Sequence, residues 1–147
     1  MFVVRLRGEQ LVLTGPCGAD AWYIESHDED DPMEIVKRLS TNLMGPPLLV
    51  HSTSWRRGPG GVFLSFLVVL GEDQAPDLES VPITRADLAR NSATEAAKGI
   101  TANQVVEHAL RHLAWLAQDD PVVKATLSPA WLVALAGYVP APFRHLA

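Results

Sequence analysis

The alternation of hydrophobic and polar residues predicts strands in the first half of the chain and helices in the second. Residues 2–14 alternate around Gly8-Glu9, a pattern typical of a β-hairpin. A glycine-rich turn at 57–61 separates two further predicted strands, 48–56 and 62–70. The second of these strands is apolar on both faces, which predicts an interior strand with a layer packed on each side.

A third strand and one helix complete the predicted first half. Residues 21–26 are rich in aromatic and β-branched side chains, which favour a pleated and half-buried surface. Asp31 is placed to cap a helix whose first position is Pro32, and Glu34 stands at the capping-box position. Gly45 and the two prolines after it predict the end of this helix.

The pattern after a predicted loop at 71–82 is helical. Four helix starts pair a capping residue with a residue favoured in the first turn, namely Thr84 with Asp87, Thr101 with Gln104, Asp120 with Pro121, and Ser128 with Pro129. Strands followed by helices predict an α+β fold, with a mostly antiparallel sheet covered by a C-terminal helical layer. We expect residues 1–147 to form a single domain.

Composition and charge exclude several classes of protein. The chain has 147 residues, of which 48% are hydrophobic, and 17 acids against 12 bases leave a net charge of −5. This balance predicts no nucleic-acid partner. The longest apolar run, 66–70, is far too short to span a membrane. The single Cys17 and the early charges at Arg5 and Arg7 predict a cytoplasmic protein without a disulfide.

Two histidines of the helix after Thr101 are weak candidates for metal ligands. His108 and His112 lie four residues apart, which can bring two imidazoles to one ion. They fall at the border of the apolar face, whereas Glu107 and Arg111 lie opposite that face. Because no third ligand is near in sequence, we expect half-buried structural histidines, and we predict no metal and no cofactor.

Aromatic residues of the second half are candidates for an interface. Trp115 lies among polar residues of its helix, so either the helix at 128–138 covers it or a second copy of the chain does. Trp131 and Phe143 are further candidates. The leading hypothesis is therefore a non-catalytic binding or self-association module that contacts another protein or itself, as a homodimer.

The polar positions of the strand at 48–56 support a second hypothesis, a small-ligand or hydrolase-like protein. The residues of this candidate pocket are His51, Ser52, Thr53, Ser54, Trp55 and Arg56. An edge strand with hydroxyl groups towards water explains the same pattern equally well. Cys17 could act as a nucleophile with His27 or His51 as its base, but no motif links them. The chain carries no catalytic motif, which favours a protein that is not an enzyme.

The order of elements in residues 1–70 resembles a degenerate Nudix domain. The strand at 21–26, the acidic loop at 28–31 and the helix at 33–43 follow one another as in that family. The resemblance implies a related fold in the first half. Nudix hydrolases hold Mg²⁺ through helix glutamates, but this helix reads Lys37-Arg38-Leu39-Ser40-Thr41-Asn42-Leu43-Met44-Gly45 and has no glutamate at those positions. The whole chain also resembles small actinobacterial proteins, a resemblance that implies no activity.

Overall fold

The computed structural model describes residues 1–16, 21–87 and 100–140. Its backbone falls into two compact units, Met1–Pro82 and Ile83–Ala147, which we call the sheet unit and the helical unit. The predicted α+β class is confirmed, because a five-stranded mixed sheet occupies the N-terminal half and most helices follow it. No helix of the described residues is long and apolar enough to cross a membrane.

The sheet unit contains five strands in the order β3-β4-β1-β2-β5. They are β1 (Phe2–Arg7), β2 (Gln10–Thr14), β3 (Leu49–Gly58), β4 (Gly61–Val69) and β5 (Ser80–Pro82). The β1–β4 pair is parallel, and the other three neighbouring pairs are antiparallel. Strands β3 and β5 therefore form the two edges of the sheet.

The helix of the sheet unit, α1 (Pro32–Met44), begins and ends at the predicted signals. Asp31 accepts a hydrogen bond from a first-turn backbone N–H at 2.9 Å. Gly45 ends the helix with φ of +82°, a conformation that favours glycine. Glu34 forms an ion pair with Lys37 at 3.0 Å. Its predicted role in a capping box is therefore not seen.

Two segments of the sheet unit differ from the prediction. Residues 21–26 form no strand, although the Trp22 backbone N–H donates to the Met1 carbonyl at 2.8 Å. The Trp22 indole donates to the Thr14 carbonyl at 3.1 Å, so the aromatic pattern reflects packing of this segment. Conversely, the predicted loop at 71–82 contains the short strand β5, which pairs with β2. The local sequence pattern does not predict this strand, because its hydrogen bonds come from a distant segment of the chain.

One face of the sheet packs into a core with α1. The buried members of this cluster are Met1, Val3, Val36, Met44, Phe66, Val68 and Leu70. The predicted interior position of β4 is correct, since β3 and β1 flank it. Coverage on both faces is wrong for its first half, because Val62, Phe63 and Leu64 are exposed. Burial begins only at Phe66.

The helical unit contains three helices within its described residues. These are α2 (Ala102–Asp119), α3 (Pro121–Thr126) and α4 (Pro129–Leu135), each starting at its predicted cap. Thr101 and Gln104 form the predicted capping box. The helix predicted after Thr84 falls largely on residues 88–99, outside the described residues, and 83–87 are not helical.

Candidate functional site

Strand β3 carries a β-bulge at Thr53. Ser52 pairs with Phe66 and Ser54 pairs with Ser65, so adjacent residues of β4 face two β3 residues that are two positions apart. Because neighbours along a strand point to opposite faces, Ser52 and Ser54 lie on opposite faces of the sheet. Thr53 is buried, and its hydroxyl donates to the Ser65 carbonyl at 3.1 Å. The bulge breaks the alternation on which the predicted pocket depends.

The register therefore divides the predicted pocket between two faces. His51, Ser54 and Arg56 lie on one face, whereas Ser52 and Trp55 lie on the other. His51 is half-buried, and this burial lowers the pKa of its imidazole. Strand β3 is an edge strand, as in the alternative stated above, although the Thr53 hydroxyl group is buried and does not face water. The candidate residues lie on two faces of the sheet and do not converge on one ligand.

Two of the three aromatic interface candidates, Trp115 and Trp131, fall within the described residues. Trp131 is completely buried, so it presents no surface to a partner. Trp115 is half-buried and stacks on His112, with the ring centroids 5.6 Å apart. Phe143 and the candidate nucleophile Cys17 lie outside the described residues. The structure thus removes Trp131 from the interface candidates, because a side chain packed on all sides makes no contact across molecules.

The two histidines of α2 differ in their burial. His112 is buried against Trp115, and His108 is half-buried. Across the described ranges, the structure contains no group of three or more His, Cys, Asp or Glu side chains placed to hold a metal ion.

The most exposed apolar surface of the sheet unit lies on the far end of the β3–β4 hairpin, residues 54–65, which we call the distal ribbon. Trp55 is 67% exposed, Val62 58% and Leu64 44%. Trp55 pairs with Leu64 across the strands, and Val62 pairs with Arg57, so all four share one face. We call this surface the Trp55 patch. Three exposed apolar side chains side by side on one face make this patch a candidate interaction site.

The distal ribbon is also basic. Residues 48–71 contain no Asp or Glu, and their only Arg or Lys residues are Arg56 and Arg57. On the face opposite the Trp55 patch, the Arg56 guanidinium lies over the Phe63 ring at 5.3 Å from its centroid. A local charge of +2 thus flanks exposed apolar side chains in a chain whose net charge is −5.

A second exposed surface of the sheet unit has the opposite charge. Residues 23–31, which we call the acidic segment, contain five acids and the 80% exposed Tyr23. Asp30 and Asp31 are engaged in local hydrogen bonds. Asp28 and Glu29 are exposed. Its carboxylates complement the arginines of the distal ribbon in charge, and its exposed Tyr23 can pack against the apolar side chains of the ribbon.

The helical unit contains a buried carboxylate with full pairing. Glu107 is 0% exposed. Arg85 donates to both of its oxygens, at 2.9 and 3.0 Å, and Arg111 donates at 2.9 Å. Burial by itself would raise the pKa of Glu107, but these hydrogen bonds outweigh it and hold the pKa below its usual value. Arg85 also donates to the Gly137 carbonyl and lies over the Tyr138 ring, so the cluster ties 83–87 to α2.

The sequence prediction missed the distal ribbon because its apolar residues read as a buried strand. A usable signal was the absence of acids from 48–71 together with two arginines beside a glycine-rich turn. The Nudix-like resemblance stays a prediction. Comparison of the chain with protein families, with curated proteins and with solved structures finds no match, so its function must be inferred from its own residues.

Proposed function

We propose that this protein is a non-catalytic self-association module whose distal ribbon binds the acidic segment of a second copy. The observation that carries the proposal is the Trp55 patch, three exposed apolar side chains on one face of a projecting hairpin. Tryptophan is among the residues that contribute most to binding when it is buried at an interface. Contact with a partner would remove this apolar surface from water.

Charge favours the acidic segment as the occupant of the distal ribbon. Two Trp55 patches packed against each other would bring the two copies of Arg57 to one interface, which like-charge repulsion opposes. The acidic segment instead supplies Asp28 and Glu29 for Arg57, which shares the face of the Trp55 patch, and Tyr23 for the apolar side chains of that patch. The same chain therefore carries both halves of a complementary contact.

The size of the ribbon indicates a weak complex. A face two strands wide and about six residues long measures about 20 Å by 10 Å, or about 200 Å². A standard stable interface buries about 800 Å² on each partner. We therefore expect an association that depends on protein concentration and that weakens as ionic strength rises from about 0.05 to 0.5 M, because salt screens exposed charges.

Sedimentation velocity over a range of protein concentrations tests the proposal. The wild-type chain should associate reversibly, and Trp55→Ser should raise the dissociation constant about tenfold or more. Val133→Ser is the matched control, because Val133 is 71% exposed but belongs to the helical unit. A wild-type chain that stays monomeric at every concentration would contradict self-association.

Charge reversal identifies which surfaces meet. The double variants Arg56→Glu with Arg57→Glu, and Asp28→Lys with Glu29→Lys, should each lose self-association. Mixed in equal amounts, they should associate again, because the mixture restores complementary pairs of ribbon and acidic segment. Failure of the mixture, with both variants folded by circular dichroism, would exclude the acidic segment as the occupant.

A further inference from the structure

Three polar side chains lie together on one face of the sheet, at the side opposite the distal ribbon. Arg5 pairs with Val12 across β1 and β2, and Thr14 lies two residues further along β2, on the same face. Thr14 pairs with Ser80 across β2 and β5. The Arg5 Nη2 donates to the Ser80 Oγ at 3.2 Å, so the guanidinium reaches across β2 towards the edge strand.

The hydrogen-bonding capacity of this cluster is largely unused. Arg5 is only 6% exposed, and Thr14 is 0% exposed. The Arg5 Nε and the Thr14 Oγ1 are buried without a hydrogen-bond partner. A guanidinium has five N–H donors in a fixed fork, and buried donors are nearly always satisfied in folded proteins. Two unpartnered polar atoms on one small surface therefore indicate a binding site.

The charge of Arg5 is also unbalanced. The ion pairs formed by the described residues join Lys37 to Glu34, and Arg85 and Arg111 to Glu107, and none involves Arg5. Burying a charge is costly unless it is paired and hydrogen-bonded. An anion with oxygen acceptors would balance the charge and accept hydrogen bonds from the guanidinium fork.

We propose that Arg5, Thr14 and Ser80 bind the oxyanion of a small molecule, a phosphate or carboxylate group. The guanidinium supplies the charge and paired N–H donors, and the two hydroxyl groups supply further donors. One cation with two neutral donors matches a singly charged group, such as a phosphodiester or a carboxylate. Ser80 is half-buried on edge strand β5, and this edge is the route of entry for the anion.

Isothermal titration calorimetry of the full chain with inorganic phosphate and with acetate tests this site. Sodium chloride at equal ionic strength is the reference, because Arg5 must discriminate oxyanions from a general salt effect. A rise in melting temperature on the order of 5 °C should accompany a hundredfold excess of anion over its dissociation constant. Preference for phosphate or for acetate then identifies which of the two groups the site takes.

Variants separate the site from general stabilisation by salts, which are excluded from protein surfaces. Arg5→Lys keeps the charge but loses the planar fork, and it should weaken binding about tenfold or more. Thr14→Val and Ser80→Ala should weaken it less. Arg38→Lys, at an exposed arginine of α1, is the matched control and should bind the anions like the wild type.

Two results would overturn the proposal. One is that Arg5→Met binds phosphate and acetate as tightly as the wild type does, because the anions would then bind at a site that does not include Arg5. The other is a wild type that binds neither phosphate nor acetate above the sodium chloride reference. Sedimentation of the Arg5 variants keeps this test separate from self-association, which they should leave unchanged.

Discussion

The two units each bury a charged side chain on a regular element, but they treat that charge in opposite ways. Glu107 on α2 receives hydrogen bonds from two arginines, and both of its oxygens are satisfied. Arg5 on β1 has a single bond to a neutral hydroxyl group and a buried Nε without a partner. The fold alone explains a buried charge such as Glu107, whose hydrogen bonds are complete. A buried charge without a partner, such as Arg5, needs another explanation, and we propose a bound anion.

The comparison also shows how an apparently exposed charge can become structural. Arg85 is half-exposed, yet its guanidinium satisfies Glu107, reaches the Gly137 carbonyl and lies 4.0 Å from the Tyr138 ring centroid. This one side chain links a segment without regular structure to two other parts of the helical unit. Its value to stability depends on the burial of its partner and not on its own exposure.

The largest expected effect follows from removing Arg85. Arg85→Met leaves Glu107 buried with Arg111 and the more distant Ala86 backbone N–H, at 3.5 Å, as its donors, and it should lower the free energy of unfolding by about 3 kcal/mol. Guanidinium denaturation followed by circular dichroism measures this loss. Arg57→Met, which removes an exposed arginine without an ion pair, should change stability by less than about 0.5 kcal/mol. A similar small change for Arg85→Met would show that Glu107 does not need its partner.

Removing Arg5 should have a much smaller effect. Methionine has a similar length and no charge, so Arg5→Met in phosphate-free and carboxylate-free buffer should shift the free energy of unfolding by about 1 kcal/mol or less, in either direction. The same denaturation experiment measures it. A loss as large as that of Arg85→Met would mean that Arg5 is a structural residue, and the contrast between the two units would fail.

Lowering the pH should reduce the stability that the paired Glu107 carboxylate contributes. The pKa of this carboxyl is held below its usual 4.5, so the unfolded chain takes up the proton first. Stability should therefore fall as pH drops through 4.5 towards the pKa of the folded state. Melting temperatures across this range, compared between wild type and Glu107→Gln, isolate the contribution. If the melting temperature depended on pH in the same way in both proteins, the ion pairs of Glu107 with Arg85 and Arg111 would not contribute to stability.

The smallest effect concerns His51, which is half-buried. Burial lowers the pKa of its imidazole, so the unfolded chain binds the proton before the folded chain does. The contribution of neutral His51 to the free energy of unfolding is complete above the usual pKa of 6.5, and it is lost as the pH falls below that value. His51→Gln should flatten the dependence of the melting temperature on pH between about pH 5 and 6.5. Equal slopes for His51→Gln and the wild type would exclude this role.

Sequence patterns predicted most of the helices and strands, but they did not predict which aromatic and charged side chains are exposed. Of the two tryptophans predicted at an interface, Trp131 is buried and Trp115 is half-buried, whereas Trp55, predicted in a pocket, is exposed. Glu107 was expected opposite the apolar face of its helix, and it is buried between two arginines instead. Periodicity assigns each side chain to a face of its own element, but it does not say whether a distant segment covers that face.

The sequence alone determined the α+β class and the starts of all four described helices, because a cap acts within a single turn. It also determined the two hairpins, whose turns are equally local. Only the tertiary structure decided the bulge at Thr53, the exposure of the distal ribbon and the partners of Arg5 and Glu107. Strand register and charge pairing join residues far apart in the chain, and their energies appear only when those residues meet.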